Sequence, residues 1–274
     1  MSYHRILTIQ DISCVGQCSM TVALPILSAC GQETCILPTA LLSTHTGGFG
    51  WPVVRHLSES MEDTWHHWQE QGITFDAIYV GYLGNVEAVR QAGEIMENLL
   101  APGGMTFVDP AMADHGKLYT GFDETYARAM MALCRKASVI LPNITEAAML
   151  ADLPWQEALT EDYVNRLMSG ITHPRVILTG VGYSPEETGI LVRDAEMLQY
   201  YRHRRFPKNY HGPGDIFASC CIGAVLRGKS LFDAVKIAGD MVCLCIENTE
   251  KSPAHWYGVK FETMLPELIR RLEA

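Results

Sequence analysis

Short apolar segments rich in β-branched residues alternate along the chain with longer segments whose apolar residues recur at helical spacing. The short segments predict β-strands at residues 5–10, 33–38, 75–81, 105–109, 138–141 and 175–179. The longer segments predict helices near residues 18–31, 58–71, 85–100, 123–136 and 160–171. This alternation is typical of an α/β fold with a mainly parallel central sheet and helices on both faces.

The pattern changes in the last third of the chain. Two strand-like segments, 188–193 and 197–206, are separated by a short connection and predict a hairpin. Apolar patterns at 215–227 and 231–247 then predict two helices. Because no Ser/Gly-rich linker, repeat or low-complexity segment interrupts the sequence, we expect residues 1–274 to form a single domain.

Composition narrows the possible partners and the compartment. Apolar residues make up 48% of the chain and charged residues 19%, which supports a substantial core, and the net charge of −10 argues against nucleic acid or an anionic membrane as a partner. The first ten residues lack the apolar region of a signal peptide, and no apolar run reaches the ~18 residues of a membrane span. The nine cysteines form no C-x-x-C motif, so we expect free thiols and a cytoplasmic protein.

Residues 223–230, GAVLRGKS, match the P-loop pattern G-x-x-x-x-G-K-[ST]. A P-loop needs a strand before its first glycine and a helix after its lysine. Here a helical pattern precedes the motif, Gly228 stands where a capping glycine ends a helix, and Lys229 suits the negative end of the helix dipole. We therefore expect no phosphate at this segment.

A second glycine turn, Gly212-Pro213-Gly214-Asp215, opens the same predicted helix at its other end. Glycines let a backbone approach a ligand closely, and the positive end of a helix attracts anions. An aspartate at a helix start is also an ordinary cap. The turn by itself is therefore compatible with either a phosphate site or a structural cap.

Polar residues follow most of the predicted parallel strands, at the edge of the sheet where such folds bind ligands. They are Asp11 and Ser13, Thr46 and Gly47, Tyr82, Asp109, Asn143 and Glu146, and Thr179. Individually, Asp109 fits a turn, and Asn143 with Glu146 fits a helix cap with its capping-box acid. Together, two acids able to hold Mg²⁺, a helix N-terminus and an Asp base are the parts that phosphoryl transfer requires.

The order of these motifs identifies a resemblance. The most specific match combines G-x-G-D at residues 212–215 with N-x-x-E at residues 143–146. The segments SCVGQCSMTVALPILSACG, STHTGG, GYLGN, VDPAMADHGKLY and ILPNITEA accompany them. With these motifs the chain resembles the pyridoxal/pyridoxamine kinase family of the ribokinase-like superfamily, over roughly residues 4–270.

The resemblance implies Mg²⁺-dependent transfer of phosphate from ATP to the 5′-hydroxyl of pyridoxal, pyridoxamine or pyridoxine, in a homodimer. Asp215 would be the general base, and the amides of Gly212, Gly214 and Asp215 would form the anion hole. The residues on the ATP side would be Asp109, Asn143, Glu146, Thr179, Gly212, Pro213 and Gly214, with Glu146 and Asp109 on the Mg²⁺ side. The vitamin pocket would contain Asp11, Ser13, Thr46, Gly47, Tyr82 and Asp215. Residues 113–122 would be a mobile cover over ATP, with Gly116 and Gly121 as hinges.

Three residues depart from the family pattern. Pro213 deletes one N–H from the implied anion hole, Asp11 stands where many members carry serine, and Gly180 stands where some relatives carry lysine. Two alternatives stay open. A hydroxymethylpyrimidine (phosphate) kinase of thiamine synthesis shares the fold and the base, and a paralogue that binds B6 vitamers without catalysis would be compatible with Pro213.

Overall fold

The computed structural model describes residues 3–252 and 254–273. Its strands are β1 (Arg5–Ser13), β2 (Glu33–Leu42), β3 (Val54–His56), β4 (Phe75–Val80), β5 (Leu100–Val108), β6 (Ala113–Asp114), β7 (Lys117–Leu118), β8 (Val139–Ile140), β9 (Arg175–Val181), β10 (Glu187–Asp194) and β11 (Met197–Arg204). Its α-helices are α1 (Met20–Ala29), α2 (Ser58–Glu70), α3 (Val86–Asn98), α4 (Glu124–Cys134), α5 (Ile144–Leu150), α6 (Glu161–Gly170), α7 (Pro213–Leu226), α8 (Leu231–Glu250) and α9 (Leu265–Glu273). A 3-10 helix, Glu262–Met264, precedes α9.

Within the described residues, nine of the strands form one sheet in the order β11-β10-β9-β8-β5-β4-β1-β2-β3. The strands from β9 to β2 in this order are parallel, β3 is antiparallel at one edge, and the β10–β11 hairpin is antiparallel at the other. Strands β6 and β7 form a separate small hairpin. The mainly parallel α/β fold predicted from the alternating pattern is therefore confirmed.

Helices cover both faces of the sheet and produce two hydrophobic cores. In β1, Leu7 and Ile9 pack in the core beneath α2 to α6, whereas Ile6 packs in the core beneath α1, α7, α8 and α9. Because both faces of the sheet are covered, the central strands β1 and β4 are buried at nearly every position rather than at alternate ones. Helix α7 is buried nearly all round because α1 and α8 also pack against it.

Several predicted boundaries differ from those of the structure. The strand predicted at 105–109 begins at Leu100 and ends just before Asp109, and the strand predicted at 138–141 contains only Val139–Ile140. The short strands β3, β6 and β7, together with α9, were not predicted, whereas the start of α5 was indicated by the Asn143–Glu146 cap, which the structure confirms. Strands of two or three residues are too short to show a period, and α9 buries only Leu268 and Leu272.

The P-loop-like segment lies at a helix junction, as predicted. Gly223 is inside α7, and Gly228 follows the helix with a φ of 84°. The Ser230 hydroxyl then caps α8 by accepting the Asp233 N–H at 3.1 Å. The segment is at the end of α7 remote from its N-terminus, roughly 20 Å away for a 14-residue helix. Across the described part of the chain, none of the helices combines the length and apolarity that crossing a bilayer would require.

Candidate active site

A cavity of about 870 Å³ opens at the carboxyl ends of the parallel strands. Its wall contains every residue that the sequence predicts to contact ATP, Mg²⁺ or the vitamin: Asp11, Ser13, Thr46, Gly47, Tyr82, Asp109, Asn143, Glu146, Thr179, Gly212, Pro213, Gly214 and Asp215. The parallel strands and the start of α7 therefore bring these distant segments to one site. Their individual roles stay predictions.

The start of α7 presents unpaired main-chain donors to this cavity. Gly212 caps the helix with a φ of 84°, and a Cβ there would lie 2.0 Å from the carbonyl oxygen of Gln17, so only glycine fits. Pro213 occupies the first turn, where its missing N–H breaks no helical hydrogen bond. The N–H groups of Gly214 and Asp215 have no acceptor among residues 3–252 and 254–273. This arrangement suits an anion.

Asp215 lines the cavity from the first turn of α7. Burial raises the pKa of its carboxyl to about 7, and the negative charges of Asp109 and Asp11 act in the same direction. The main-chain N–H of Ser19 opposes this rise in pKa by hydrogen bonding to the carboxylate. A carboxyl with a pKa near neutrality is well matched to general-base catalysis.

Asp109 follows β5 and lines the same cavity as Asp215, close enough for its charge to raise the pKa of Asp215. One carboxylate oxygen, Oδ1, accepts the Ala111 N–H at 3.2 Å, and the other accepts no hydrogen bond from the described part of the chain. Burial raises the pKa of Asp109, and the charge of Glu146 raises it further. Asp109 therefore has an oxygen free for a ligand and an environment that favours a nearby cation.

Glu146 is 1% exposed, and main-chain groups occupy both of its carboxylate oxygens. Its Oε2 accepts the Asn143 N–H at 2.9 Å, while its Oε1 accepts the N–H groups of Met112 at 2.9 Å and Ala113 at 3.4 Å. Burial raises the pKa of Glu146, and these three N–H groups oppose the rise. The side chain thus joins α5 to the residues that begin the β6–β7 hairpin.

Two further contacts hold this hairpin against α5. The Asn143 amide donates to the Ala113 carbonyl at 2.7 Å, and the Gly116 N–H donates to the Thr145 hydroxyl at 3.0 Å. Gly116 lies in the hairpin turn, where a Cβ would meet the Trp155 ring at 2.6 Å. Gly121 has a φ of 95° and open space around it, so of the two predicted hinges Gly121 has the freer surroundings.

The donor set fits Mg²⁺ that arrives with a nucleotide. No group of three or more His, Cys, Asp or Glu side chains in the described ranges has the geometry to hold a metal. Mg²⁺ commonly keeps several waters and binds through one or two carboxylates together with substrate phosphates. Asp109 can supply such a carboxylate directly, whereas Glu146, with both oxygens engaged, fits a water-mediated role.

The wall of the cavity is acidic. It contains Asp11, Asp109, Asp114, Glu146 and Asp215, and among the described residues it contains no lysine or arginine. A triphosphate would bring further negative charge into this space. Cations must therefore accompany a nucleotide if it is to bind here.

The substrate side of the cavity lies at the end of β1. Asp11 is 2% exposed, and its Oδ2 accepts the Ser13 hydroxyl at 2.9 Å. Tyr82 is half-buried and stacks on Phe122, with ring centroids 5.3 Å apart. Burial raises the pKa of Tyr82 to about 12, and the charge of Asp11 contributes. Thr46 and Gly47 lie in the same cavity.

Two histidines that the sequence analysis did not assign to the substrate site hold the Thr46–Gly47 segment. His45 Nδ1 accepts the Gly47 N–H at 3.0 Å, and its Nε2 lies 2.7 Å from the Tyr257 carbonyl. The ring centroids of His211 and His45 are 4.7 Å apart. A Cβ at Gly47 would lie 2.2 Å from the His211 ring. His45 stands inside the STHTGG motif, which is the signal that could have identified it.

Ser19 is a further residue that the sequence analysis missed. It has a φ of 53°, which is unusual for a residue other than glycine, and it lines the cavity between β1 and α1. Hydrogen bonding from its side chain lowers the pKa of Asp11, and hydrogen bonding from its main chain lowers that of Asp215. Ser19 therefore contacts the acids of both the substrate side and the helix start. No pattern in the sequence predicts this conformation.

Comparisons with known proteins identify the family and the fold of the chain. The sequence profile of the phosphomethylpyrimidine kinase family matches residues 29–259. The structure is similar to that of pyridoxal kinase from Lactobacillus plantarum, with 33% identity, 97% of each chain covered and a TM-score of 0.88. It is also similar to a putative phosphomethylpyrimidine kinase from Bacteroides thetaiotaomicron, crystallised in one form with pyridoxal, at 30% identity, with 98% of this chain and 96% of that one covered and a TM-score of 0.87.

A sequence relative, the hydroxymethylpyrimidine/phosphomethylpyrimidine kinase of Bacillus subtilis, is 25% identical over 177 residues. This match covers 64% of each protein, a little under two thirds of the relative's length. The profile match extends over most of the chain, and it includes the segments that build the cavity from Asp109 to Asp215. The chain therefore belongs to the phosphomethylpyrimidine kinase family and has the ribokinase-like fold of the pyridoxal kinases.

Proposed function

We propose that this protein transfers the γ-phosphoryl group of ATP to the 5′-hydroxymethyl group of a B6 vitamer: pyridoxal, pyridoxamine or pyridoxine. The observation that carries the proposal is the position of Asp215. Its carboxyl, with a pKa near 7, stands beside the unpaired N–H groups at the start of α7, in the same cavity as Asp109. A base, an anion site and a metal-binding acid therefore face the same cavity.

The proposed reaction is a single in-line transfer. The Asp215 carboxylate accepts the proton of the substrate hydroxyl as the hydroxyl oxygen forms a bond to the γ-phosphorus. The bond between that phosphorus and the β–γ bridging oxygen breaks, and ADP leaves with the electron pair. The N–H groups of Gly214 and Asp215, with that of Gly212, stabilise the charge on the transferring group.

The remaining residues position the two substrates. Asp109 directly, and Glu146 through water, would hold Mg²⁺, which supplies charge neutralisation at the phosphates when it is bound. Asn143 and Thr179 lie on the same nucleotide side of the cavity, on α5 and β9. On the vitamin side, Thr46 and Gly47 form one wall, Tyr82 supplies an aromatic wall, and Asp11 with Ser13 forms the polar end.

The comparisons support a B6 vitamer as the acceptor. A relative named pyridoxal kinase is 33% identical over 97% of this chain, and a relative at 30% identity was crystallised with pyridoxal. The alternative is a hydroxymethylpyrimidine (phosphate) kinase, which the family profile and the B. subtilis relative favour. Both acceptors carry a hydroxymethyl group on a nitrogen heterocycle, so the same base could serve either one.

A comparative assay tests the proposal. Release of ADP is measured with pyridoxal, pyridoxamine, pyridoxine and hydroxymethylpyrimidine as acceptors at saturating MgATP, and the product is identified by mass spectrometry. We expect the highest kcat/KM with a B6 vitamer. Faster phosphorylation of hydroxymethylpyrimidine would establish the alternative. Tight binding of a vitamer without ADP release would indicate a protein that binds B6 vitamers without catalysis.

The cellular context and the assembly of the protein are also proposals. All nine cysteines are free, which supports a reducing compartment, and we propose the cytoplasm. The resemblance to the pyridoxal kinases supports a homodimer. Light scattering coupled to size-exclusion chromatography would give the mass in solution, to be compared with the 30.5 kDa of one chain.

A further inference from the structure

Asp11 is a buried carboxylate that faces the cavity and forms no ion pair within the described residues. It is 2% exposed, and the groups that hydrogen bond to it are neutral: the Ser13 hydroxyl at 2.9 Å, the Ser19 hydroxyl and its own main-chain N–H. The wall of the cavity contains no lysine or arginine among the described residues. A buried anion normally requires a positive partner, because neutral hydrogen bonds only partly replace its hydration.

The imidazole whose charge would act on Asp11 is that of His45: a protonated ring would lower the pKa of Asp11. The hydrogen bonds of His45 fit the neutral ring instead. Its Nδ1 accepts the Gly47 N–H at 3.0 Å, which requires a lone pair on that nitrogen. Its Nε2 is then the protonated nitrogen and donates to the Tyr257 carbonyl at 2.7 Å. In this arrangement the imidazole holds one proton, and both of its nitrogens are engaged elsewhere, so neither is free to pair with Asp11.

The other titratable groups that act on Asp11 or respond to its charge add no positive charge. They are the Tyr82 hydroxyl, the Cys18 thiol and the Asp215 carboxyl. Burial raises the pKa of Asp11, and hydrogen bonding from the hydroxyls of Ser19 and Ser13 opposes this rise. A ligand that brings a positive charge or a strong N–H donor would therefore stabilise the buried Asp11 carboxylate.

The place of Asp11 in the sheet determines which part of a substrate it can reach. The order β5-β4-β1 puts Asp11 two strands from Asp109, roughly 10 Å along the edge of the sheet. Asp215 responds to the charges of both residues and so lies within reach of each. A substrate whose hydroxyl meets Asp215 thus extends its ring towards Asp11 and away from the nucleotide phosphates.

We propose that Asp11 is a specificity-determining residue that binds the ring nitrogen of the substrate in its protonated, pyridinium form. This inference rests on the proposed function, because it takes a pyridine ring as the acceptor. The pyridinium N–H donates to the Asp11 carboxylate, and the resulting ion pair lies in a cavity that otherwise offers this acid only neutral partners. Selection then depends on the basicity of the ring nitrogen as well as on the shape of the ring.

The test compares pyridoxine with a carbocyclic analogue in which C–H replaces the ring nitrogen. Dissociation constants are measured by calorimetry for the wild type, Asp11→Asn and Asp11→Ser. We expect the wild type to prefer pyridoxine by about 30-fold or more, as is typical of a charge-assisted hydrogen bond in a buried site. In both variants the preference should fall below about fivefold. Asp11→Asn should also bind the carbocyclic analogue at least as well as the wild type does, because no buried charge is left unpaired.

The matched control is Asp114→Asn, which removes a carboxylate from the same cavity wall at the β6–β7 hairpin. It should retain the full preference for pyridoxine. Thermal unfolding shows whether each variant is folded, and Asp11→Ser provides a second substitution if Asp11→Asn is not. An unchanged preference in a folded Asp11 variant would overturn the role of Asp11. Failure of the wild type to bind pyridoxine would overturn the proposed function and this inference with it.

Discussion

Asn143 and Glu146 cap the start of α5 reciprocally. The Asn143 N–H donates to Glu146 Oε2 at 2.9 Å, and the Glu146 N–H donates to Asn143 Oδ1 at 3.0 Å. Glu146 Oε1 also accepts the N–H groups of Met112 and Ala113, which lead into the β6–β7 hairpin. The Asn143–Glu146 motif, which we propose contacts the nucleotide and the metal, thus also holds the β6–β7 hairpin beside the cavity.

Glu146→Gln tests whether Glu146 has a role beyond this anchor. Glutamine cannot accept all three N–H bonds in the same way, and an unsatisfied buried N–H costs about 1–3 kcal/mol, so we expect a lower melting temperature. We also expect the Mg²⁺ concentration for half-maximal activity to rise more than the KM for the vitamer.

The matched control is Thr145→Val, which removes only the acceptor of the Gly116 N–H. It should weaken the contact between the β6–β7 hairpin and α5 without changing the Mg²⁺ concentration needed for half-maximal activity. A Glu146→Gln variant whose Mg²⁺ titration matches that of the wild type would limit Glu146 to a structural role.

Asp215→Asn preserves size and much of the capping ability but removes the base. We expect the fold and ligand binding to survive and turnover to fall by roughly 10²-fold or more. The wild-type rate should rise with pH as Asp215 loses its proton near pH 7, because only the carboxylate accepts the substrate proton. Initial rates from pH 5.5 to 8.5 would show this rise, and the variant should lack it. Asp233→Asn, at the exposed start of α8, is the control.

Lys229→Ala tests the P-loop-like segment. Lys229 lies at the far end of α7 from the cavity, so the apparent affinity for ATP should stay within about threefold of the wild-type value. Nucleotide titrations of the folded variant provide the measurement. A large loss of ATP affinity would indicate that residues 223–230 bind the phosphates.

Pro213→Thr restores an N–H at the first position of α7. We expect faster vitamer-dependent turnover, because one working anion-hole donor contributes ~10²–10³ in rate where it is fully used. Proline is favoured at this position of a helix, so stability should be equal or slightly lower. If turnover does not rise, an amide N–H at this position does not stabilise the transferring group, and the role of the proline is structural.

Asp109→Asn should change how stability depends on pH. The pKa of Asp109 is raised in the folded protein, so its contribution to stability is greatest below its unfolded value, about 4, and is lost as pH rises through the folded value. Without ligands, the wild-type melting temperature should therefore fall between about pH 5 and pH 8. The variant should show a smaller fall and a higher melting temperature at pH 8, measured by calorimetry. If the melting temperature of the variant falls equally steeply, titratable groups other than Asp109 cause the pH dependence.

The sequence predicted the sheet and the edge that binds ligands because both follow from local patterns. Alternating apolar segments indicate parallel strands, and parallel strands place Asp11, Asp109 and Asn143 at one edge. The supporting contacts could not be predicted in this way. His45 meets a carbonyl 212 residues away, and Glu146 meets an amide 34 residues away. Such pairings depend on tertiary packing, which leaves no periodic signal in the chain.

The acidic wall of the cavity should favour release of the phosphorylated product. After transfer, the new phosphate ester would lie among Asp11, Asp109, Asp114, Glu146 and Asp215, in a wall whose described residues include no lysine or arginine to retain it. When no metal ion is bound, carboxylates in this wall would repel the phosphorylated product over distances where the protein screens charges poorly. We therefore expect the site to hold its product weakly, so that turnover resists inhibition by the product.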